Sequence, residues 1–142
     1  KDNLMYCDEQ TRIINFSSNF KANVIPITTL SDNNFTLSSS YANEITRLSG
    51  VVDLNLRLQA ANYIAGADQT LTVYTLPENF RPITETALVI PQVTSGYILK
   101  GYVFGYITAS GDIKISLPTG SEINSNDRLL INKSFITVSS QP

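Results

Sequence analysis

Hydrophobic and polar residues alternate strictly along residues 52–59. Every second position is apolar, at Val52, Leu54, Leu56 and Leu58, while the positions between them are polar. Successive side chains of a β-strand point to opposite faces of the sheet, so this segment would have one apolar and one polar face. The pattern predicts an antiparallel strand that packs one face on a core and keeps the other in solvent.

Short apolar segments, many of them β-branched, predict the remaining strands. They cover residues 44–48, 70–75, 86–90, 97–108, 113–117, 128–131 and 134–138. Turn residues separate them at spacings of about ten residues, and no stretch keeps the helical period for more than about one turn. About seven to nine strands without a helix between them predict an all-β fold. The expected architecture is an antiparallel β-sandwich, or jelly-roll-like head domain, over residues 45–142.

Residues 1–44 carry weaker signals. Apolar stretches occur at 12–16, 23–30 and 35–37, separated by Ser and Asn clusters. Pro26 has no amide hydrogen for a sheet ladder, which predicts an edge strand or an extended linker at that point. We expect residues 1–44 to be a lead-in or linker segment with short strands. Because the first residue is Lys1, we also expect a processed chain or part of a longer one.

Two polar stretches, residues 60–69 and 118–127, are predicted to be loops. Between them, the turn at 109–112 contains Gly111, which can adopt the positive φ that a short hairpin requires. Loops of this kind are where a rigid β scaffold usually presents binding residues.

The composition of the chain argues against several function classes. The net charge is −2 and only 15% of residues are charged, so we expect neither nucleic acid nor membrane as a partner. Ser, Thr and Asn supply the polar surface, which suits a protein that works outside a cell. Cys7 is the one cysteine and histidine is absent, which predicts no disulfide, no zinc site and no cofactor.

We expect no catalytic residue and no enzymatic activity. Nucleophile-plus-base catalysis usually needs a histidine. Paired carboxylates could act on a glycosidic bond, but the loop carboxylates are more simply read as solvated acids: Asp68, Glu78, Glu85, Asp112 and Asp127. The segment 124–127 has too few carboxylates for a committed calcium loop.

A proline-bracketed corner follows the strand at 70–75, at Leu76, Pro77, Phe80, Arg81 and Pro82. Each proline fixes its own φ and pushes the preceding residue towards an extended conformation. We expect Phe80 to anchor this structural corner in the core and Arg81 to bond loop carbonyls or a neighbouring subunit. The Leu-Pro-x-x-Phe-Arg-Pro step resembles the one that opens the C-terminal receptor-binding head of tail-fibre and baseplate proteins from phages of Gram-positive bacteria.

The resemblance extends over about residues 47–138. A Val-rich strand, the corner, an apolar strand and a Ser-Gly-Asp-Ile-Lys-Ile hairpin at 110–115 follow in the order of those lactococcal-type phage heads. It implies a homotrimeric receptor-binding protein at the tail tip of an extracellular virion, in contact with other baseplate proteins and adhering to a host cell-wall saccharide. The alternative is a structural or accessory baseplate protein that only docks virion subunits. A depolymerase is a third possibility, which loop carboxylates alone do not support.

Aromatic side chains suggest where a saccharide would bind. The C–H face of a sugar packs on an aromatic ring while its hydroxyls bond polar groups. The candidate residues lie in the loops 60–69 and 92–97. We expect the Tyr63 ring to stack on the sugar and Asp68 to accept hydrogen bonds from its hydroxyls. Tyr97 would close the other side of the saccharide site. For both tyrosines, a purely structural role at the rim of the core stays open. For Tyr102 and Tyr106 we favour a structural role, in which their rings cover the core or a subunit interface.

Overall fold

The computed structural model describes residues 22–138. These residues form eleven strands and one short 3-10 helix. The strands are β1 (Asn23–Pro26), β2 (Phe35–Leu37), β3 (Glu44–Leu48), β4 (Val51–Ala60), β5 (Ile64–Ala65), β6 (Gln69–Thr75), β7 (Thr86–Val93), β8 (Leu99–Ile107), β9 (Asp112–Leu117), β10 (Glu122–Ile123) and β11 (Arg128–Ile136). The 3-10 helix spans Glu78–Phe80, between β6 and β7.

Nine of the strands form one antiparallel sheet. Its order is β1-β3-β4-β11-β7-β8-β9-β6, with β2 also paired to β4. The sheet curls, and the segment after β1 reaches its opposite end, where the Ser31 amide donates to the Val73 carbonyl of β6 at 2.8 Å. β5 and β10 form a separate two-stranded sheet. The prediction of an all-β, antiparallel, sandwich-like fold is confirmed.

Strand β4 lies at the centre of the core, as its alternation predicts. Val52, Leu54, Leu56 and Leu58 are each at most 1% exposed. β11 pairs with β4 along its whole length, and β3 pairs with the other edge of β4. The polar residues of β4 therefore lie on the outer face of the sheet, away from the core.

Residues 22–44 join the same sheet. β1 ends at Pro26 and, among residues 22–138, is an edge strand that pairs only with β3, as the missing amide hydrogen predicts. Ile27 and Phe35 are 4% and 3% exposed and belong to the main core cluster. The predicted strand at 12–16 and Cys7 lie outside the described residues.

The proline-bracketed corner packs against the β8–β9 hairpin. Phe80 is 3% exposed and Leu76 is fully buried. The Leu76 amide donates to the Gly111 carbonyl, and Arg81 Nε donates to the Leu76 carbonyl at 3.0 Å. Gly111 has a φ of 96°, and a Cβ there would press on Arg81 and on the Leu76 carbonyl. Pro82 forms an isolated bridge with Thr137, which ties the corner to the end of β11.

The prediction that 60–69 and 118–127 are purely loops was wrong. β5 and β10 lie inside them and pair with each other, with Ile64 6% and Ile123 0% exposed. A Cβ at Gly66 would collide with the Pro118 carbonyl oxygen, so this glycine allows the two segments to touch. Two-residue strands with distant partners leave no periodic signal in a sequence.

Two strands are longer than predicted. β7 continues through Pro91 to Val93, because its ladder with β8 includes these three residues. Its ladder with β11, at Gln92 and Val93, does not include Pro91. β11 is one strand rather than two, since its pairing with β4 continues through Asn132 and Lys133. Tertiary pairing overrides the weak strand propensity of those two residues.

Candidate functional site

A cleft opens where β8 and β9 separate. β8 pairs with β7 over its whole length, but with β9 only at Gly105, Tyr106 and Ile107. The earlier part of β8 diverges from the end of β9, so that this edge of β8 has no ladder partner among the described residues. The resulting cleft has a volume of about 400 Å³, and β10 also lines it. Unpaired backbone amides and carbonyls along such an edge can bond a ligand.

Exposed aromatic rings form one wall of the cleft. Tyr102 and Phe104 are 64% and 53% exposed, and both line it. They lie on the outer face because Val103, Gly105 and Ile107 point into the core. The Phe104 ring packs at a tilt near Tyr106, with 6.2 Å between centroids.

A carboxylate held by a tyrosine stands on the opposite wall. Glu122 lines the cleft, and the hydroxyl of Tyr63 donates to its Oε1 at 2.8 Å. This hydrogen bond raises the pKa of the Tyr63 phenol, because ionisation would place two negative charges side by side. Tyr63 therefore remains a donor that orients Glu122, and its ring is 55% exposed.

A buried network fixes the base of the cleft. One carboxylate oxygen of Asp127 accepts from Lys100 Nζ at 2.7 Å, from Gln92 Nε2 at 2.9 Å and from the Asn124 amide at 2.9 Å. Gln92 Nε2 also lies 3.1 Å from the Glu122 carbonyl. These bonds hold β7, β8 and β10 in fixed positions around the cleft.

The same contacts set the charge state of Asp127. Burial favours a raised pKa for this carboxyl, but the bonds from Lys100, Gln92 and Asn124 outweigh it and hold the pKa below its usual value. Asp127 is thus an ionised, paired group rather than a free calcium ligand. Within residues 22–138 there is no group of three or more His, Cys, Asp or Glu placed to hold a metal.

Asp68 lies in a neighbouring groove of about 420 Å³. That groove and the cleft share four wall residues: Phe104, Ser116, Leu117 and Pro118. Asp68 has a φ of 52°, and its Oδ1 accepts from the Thr119 amide at 2.9 Å. One carboxylate oxygen is thereby committed to the loop after β9.

Tyr97 belongs to a different cluster. It lies at the β7–β8 turn, and its hydroxyl accepts from Arg57 Nη1 at 2.9 Å. The guanidinium carbons of Arg57 and Arg128 lie 5.4 and 5.1 Å from the centre of its ring. Arg57 is a polar residue of β4, so this cluster lies on the outer face of the sheet.

The three predicted saccharide-binding residues therefore do not form one group. β4 and β7 both pair with β11 at its beginning, which places the loops that follow them at the same end of the sheet, as expected. Tyr63 reaches the cleft through Glu122 and Asp68 lines the adjoining groove, whereas Tyr97 contacts the two arginines.

Sequence reasoning missed Tyr102 and Phe104 as cleft residues. Their alternation with core-facing Val103, Gly105 and Ile107 is the signal that predicts exposed rings.

No model of a known protein family matches the chain, and no curated protein matches it. Among residues 22–138, the structure has no helix of the length and hydrophobicity needed to cross a membrane.

Proposed function

We propose that this protein is a phage tail or baseplate receptor-binding protein that adheres, without catalysis, to a saccharide of the host cell surface. The observation that carries the proposal is the cleft between β8 and β9, where exposed Tyr102 and Phe104 face Glu122. The resemblance of the corner at 76–82 to phage heads supplies the biological setting. Saccharide sites combine an apolar ring with a few fixed polar groups, and this cleft contains both.

The chemistry of the cleft suits a sugar of one or two residues. The rings supply flat apolar surface for a C–H face of the sugar. Glu122 accepts hydrogen bonds from the sugar hydroxyls, while Lys100 and the free edge of β8 donate to them. Because each hydroxyl must give up water, single-site affinity would be weak. Adhesion would then depend on several copies of the chain acting together.

We expect a homotrimer at the tail tip of an extracellular virion, in contact with other baseplate proteins. An exposed apolar group on the outer face of the sheet supports assembly: Leu48, Val51 and Ile136 are 44%, 50% and 64% exposed. Val51 pairs directly with both Leu48 and Ile136, so the three are neighbours on one surface. Burial of such a surface between copies would stabilise a trimer.

Light scattering at micromolar concentration is expected to give a mass near three chains. Ile136→Lys would place a charge in the apolar contact and should shift the mass towards one chain, whereas Ser125→Lys in an exposed loop should not. A parent chain that stays monomeric at high concentration would contradict the trimer. Loss of assembly in both variants would contradict the assignment of this surface.

A glycan-array screen of the purified chain tests the adhesion proposal, and variants test the site. With the best-binding glycan, Tyr102→Ala, Tyr63→Ala and Asp68→Ala should each weaken binding by about tenfold or more, equivalent to about 1.4 kcal/mol. The two tyrosine variants should change the melting temperature little, whereas Asp68→Ala should lower it because it removes the acceptor of the Thr119 amide. Val89→Ala is the matched control, because Val89 is 72% exposed outside the cleft. Parental affinity in all three variants would show that the site lies elsewhere.

A further inference from the structure

Two arginines share one small area of the outer sheet face. Arg57 lies on β4 opposite Leu130 of β11, and Arg128 lies on β11 opposite Gln59 of β4. The two are therefore diagonal neighbours on adjacent strands, within reach of each other's long side chains. Both guanidinium groups also approach the same Tyr97 ring.

Neither arginine has a carboxylate partner in the described part of the chain. The one ion pair within residues 22–138 joins Lys100 to Asp127. Asp53, a carboxylate on the same sheet face, accepts instead from Ser134 and Asn55. Two neighbouring cations without a counter-ion repel each other, so an arrangement that brings them together favours a bound anion.

Both arginines also have an unused buried donor. The Nε atoms of Arg57 and Arg128 are the buried side-chain nitrogens or oxygens that lack a hydrogen-bond partner among residues 22–138. A buried donor without an acceptor is destabilising, and more so when the group is charged. An arginine has only donors, whereas an oxyanion has only acceptors and fits the planar guanidinium fork.

The surrounding residues hold the arginines in position. Tyr41 stacks on Arg57, with 3.8 Å from the guanidinium carbon to the ring centre. The buried side chain of Asn43 fixes the backbone at Tyr41 by accepting from the Arg57 amide at 2.6 Å and donating to the Tyr41 carbonyl at 3.3 Å. This contact connects the loop that carries Tyr41 directly to β4.

The Tyr97 ring lies near both guanidinium groups. The φ of Tyr97, 63°, is unusual for a residue other than glycine and costs energy, as strained residues at functional sites often do. Thr94 holds this turn through bonds from the Gly96 and Ile98 amides to its Oγ1. Although burial favours a raised pKa for the Tyr97 phenol, Arg128 and Arg57 lower it below the usual value, which reports a positive potential at this point.

We propose that Arg57 and Arg128, flanked by Tyr41 and Tyr97, bind an oxyanion, either a phosphate or a carboxylate group. The oxyanion takes the place of the Tyr97 hydroxyl as the acceptor of Arg57 and satisfies the Nε donors. This site is separate from the cleft between β8 and β9. It does not depend on the proposed saccharide adhesion, and either proposal can fail without the other.

Titration of the full chain with sodium phosphate and with sodium acetate, at constant ionic strength set by chloride, tests the site. We expect saturable shifts of the Arg57 and Arg128 Nε–H signals in NMR spectra with at least one of the two anions. The anion that binds more tightly identifies the group as phosphoryl or carboxyl. Shifts that do not saturate with either anion would overturn the proposal.

Substitution of the two arginines tests whether their side chains bind the anion. Arg57→Gln and Arg128→Gln should each weaken binding of the preferred anion by about tenfold or more, while Lys114→Gln, which removes a cation elsewhere on the sheet, should change it by less than about twofold. Arg57→Lys keeps the charge but loses the planar guanidinium fork, so it should also weaken binding. It replaces Arg57→Gln in the test if that variant does not fold. Equal effects of all these substitutions, or no effect of the arginine variants, would contradict the site.

Discussion

Replacing Phe80 by alanine is expected to lower the free energy of unfolding by about 3–5 kcal/mol. Phe80 is 3% exposed and belongs to the main core cluster, between two prolines that prevent the corner from closing around a cavity. A loss of this size is a large fraction of the stability of a typical domain. Urea unfolding of parent and variant, followed by circular dichroism, measures the difference.

Phe104 provides the matched control, since it is an exposed phenylalanine on β8. Phe104→Ala should change the free energy of unfolding by less than about 1 kcal/mol. If Phe80→Ala unfolds at the same urea concentration as the parent, the corner does not anchor the domain.

Asp127→Ala should cost about 2–4 kcal/mol, because it removes the acceptor shared by Lys100, Gln92 and the Asn124 amide. Glu85, an exposed carboxylate before β7, is the control, and Glu85→Ala should have little effect on the free energy of unfolding. Chemical unfolding near neutral pH compares the three proteins. Equal losses from both substitutions would contradict a structural role for Asp127.

The effect of Asp127 should also depend on pH. Its pKa is lower in the folded chain than in the unfolded one, so its contribution is complete above the ordinary aspartate pKa of about 4 and is lost as the pH falls through the folded-state pKa. The stability difference between parent and Asp127→Ala should therefore be constant from neutral pH to about pH 5 and shrink in stronger acid. A difference that grows on acidification would have the wrong sign.

Local periodicity was sufficient to predict much of the fold. The alternation around Leu54 and Leu56 predicted both the position of β4 and its buried face, because burial on one face forces period two. Periodicity could not predict β5 and β10, whose pairing joins Ile64 to Ile123 across the chain. Nor could it show that β11 is continuous, since β4 supplies the pairing partners for Asn132 and Lys133.

The candidate site was less predictable than the fold. Tyr63 was predicted from the sequence as a site residue, and its hydroxyl bonds a carboxylate of the cleft. That carboxylate, Glu122, is 59 residues away in sequence, so the contact could not be predicted. The cleft exists because β8 leaves β9 after a three-residue ladder, which is a property of the sheet and not of any one segment. Tyr97 was predicted to close a saccharide site, whereas the structure places it over Arg57 and Arg128.

An NMR titration of the labelled chain with the best-binding glycan from the screen tests saccharide adhesion most directly. The proposed function predicts saturable shifts at Tyr102, Phe104 and Glu122, the residues that form the two walls of the cleft. It predicts smaller changes at Leu48 and Val51, which lie outside the cleft on the apolar face. Saturable binding whose shifts avoid the cleft, or no saturable binding by any glycan in the screen, would contradict the account.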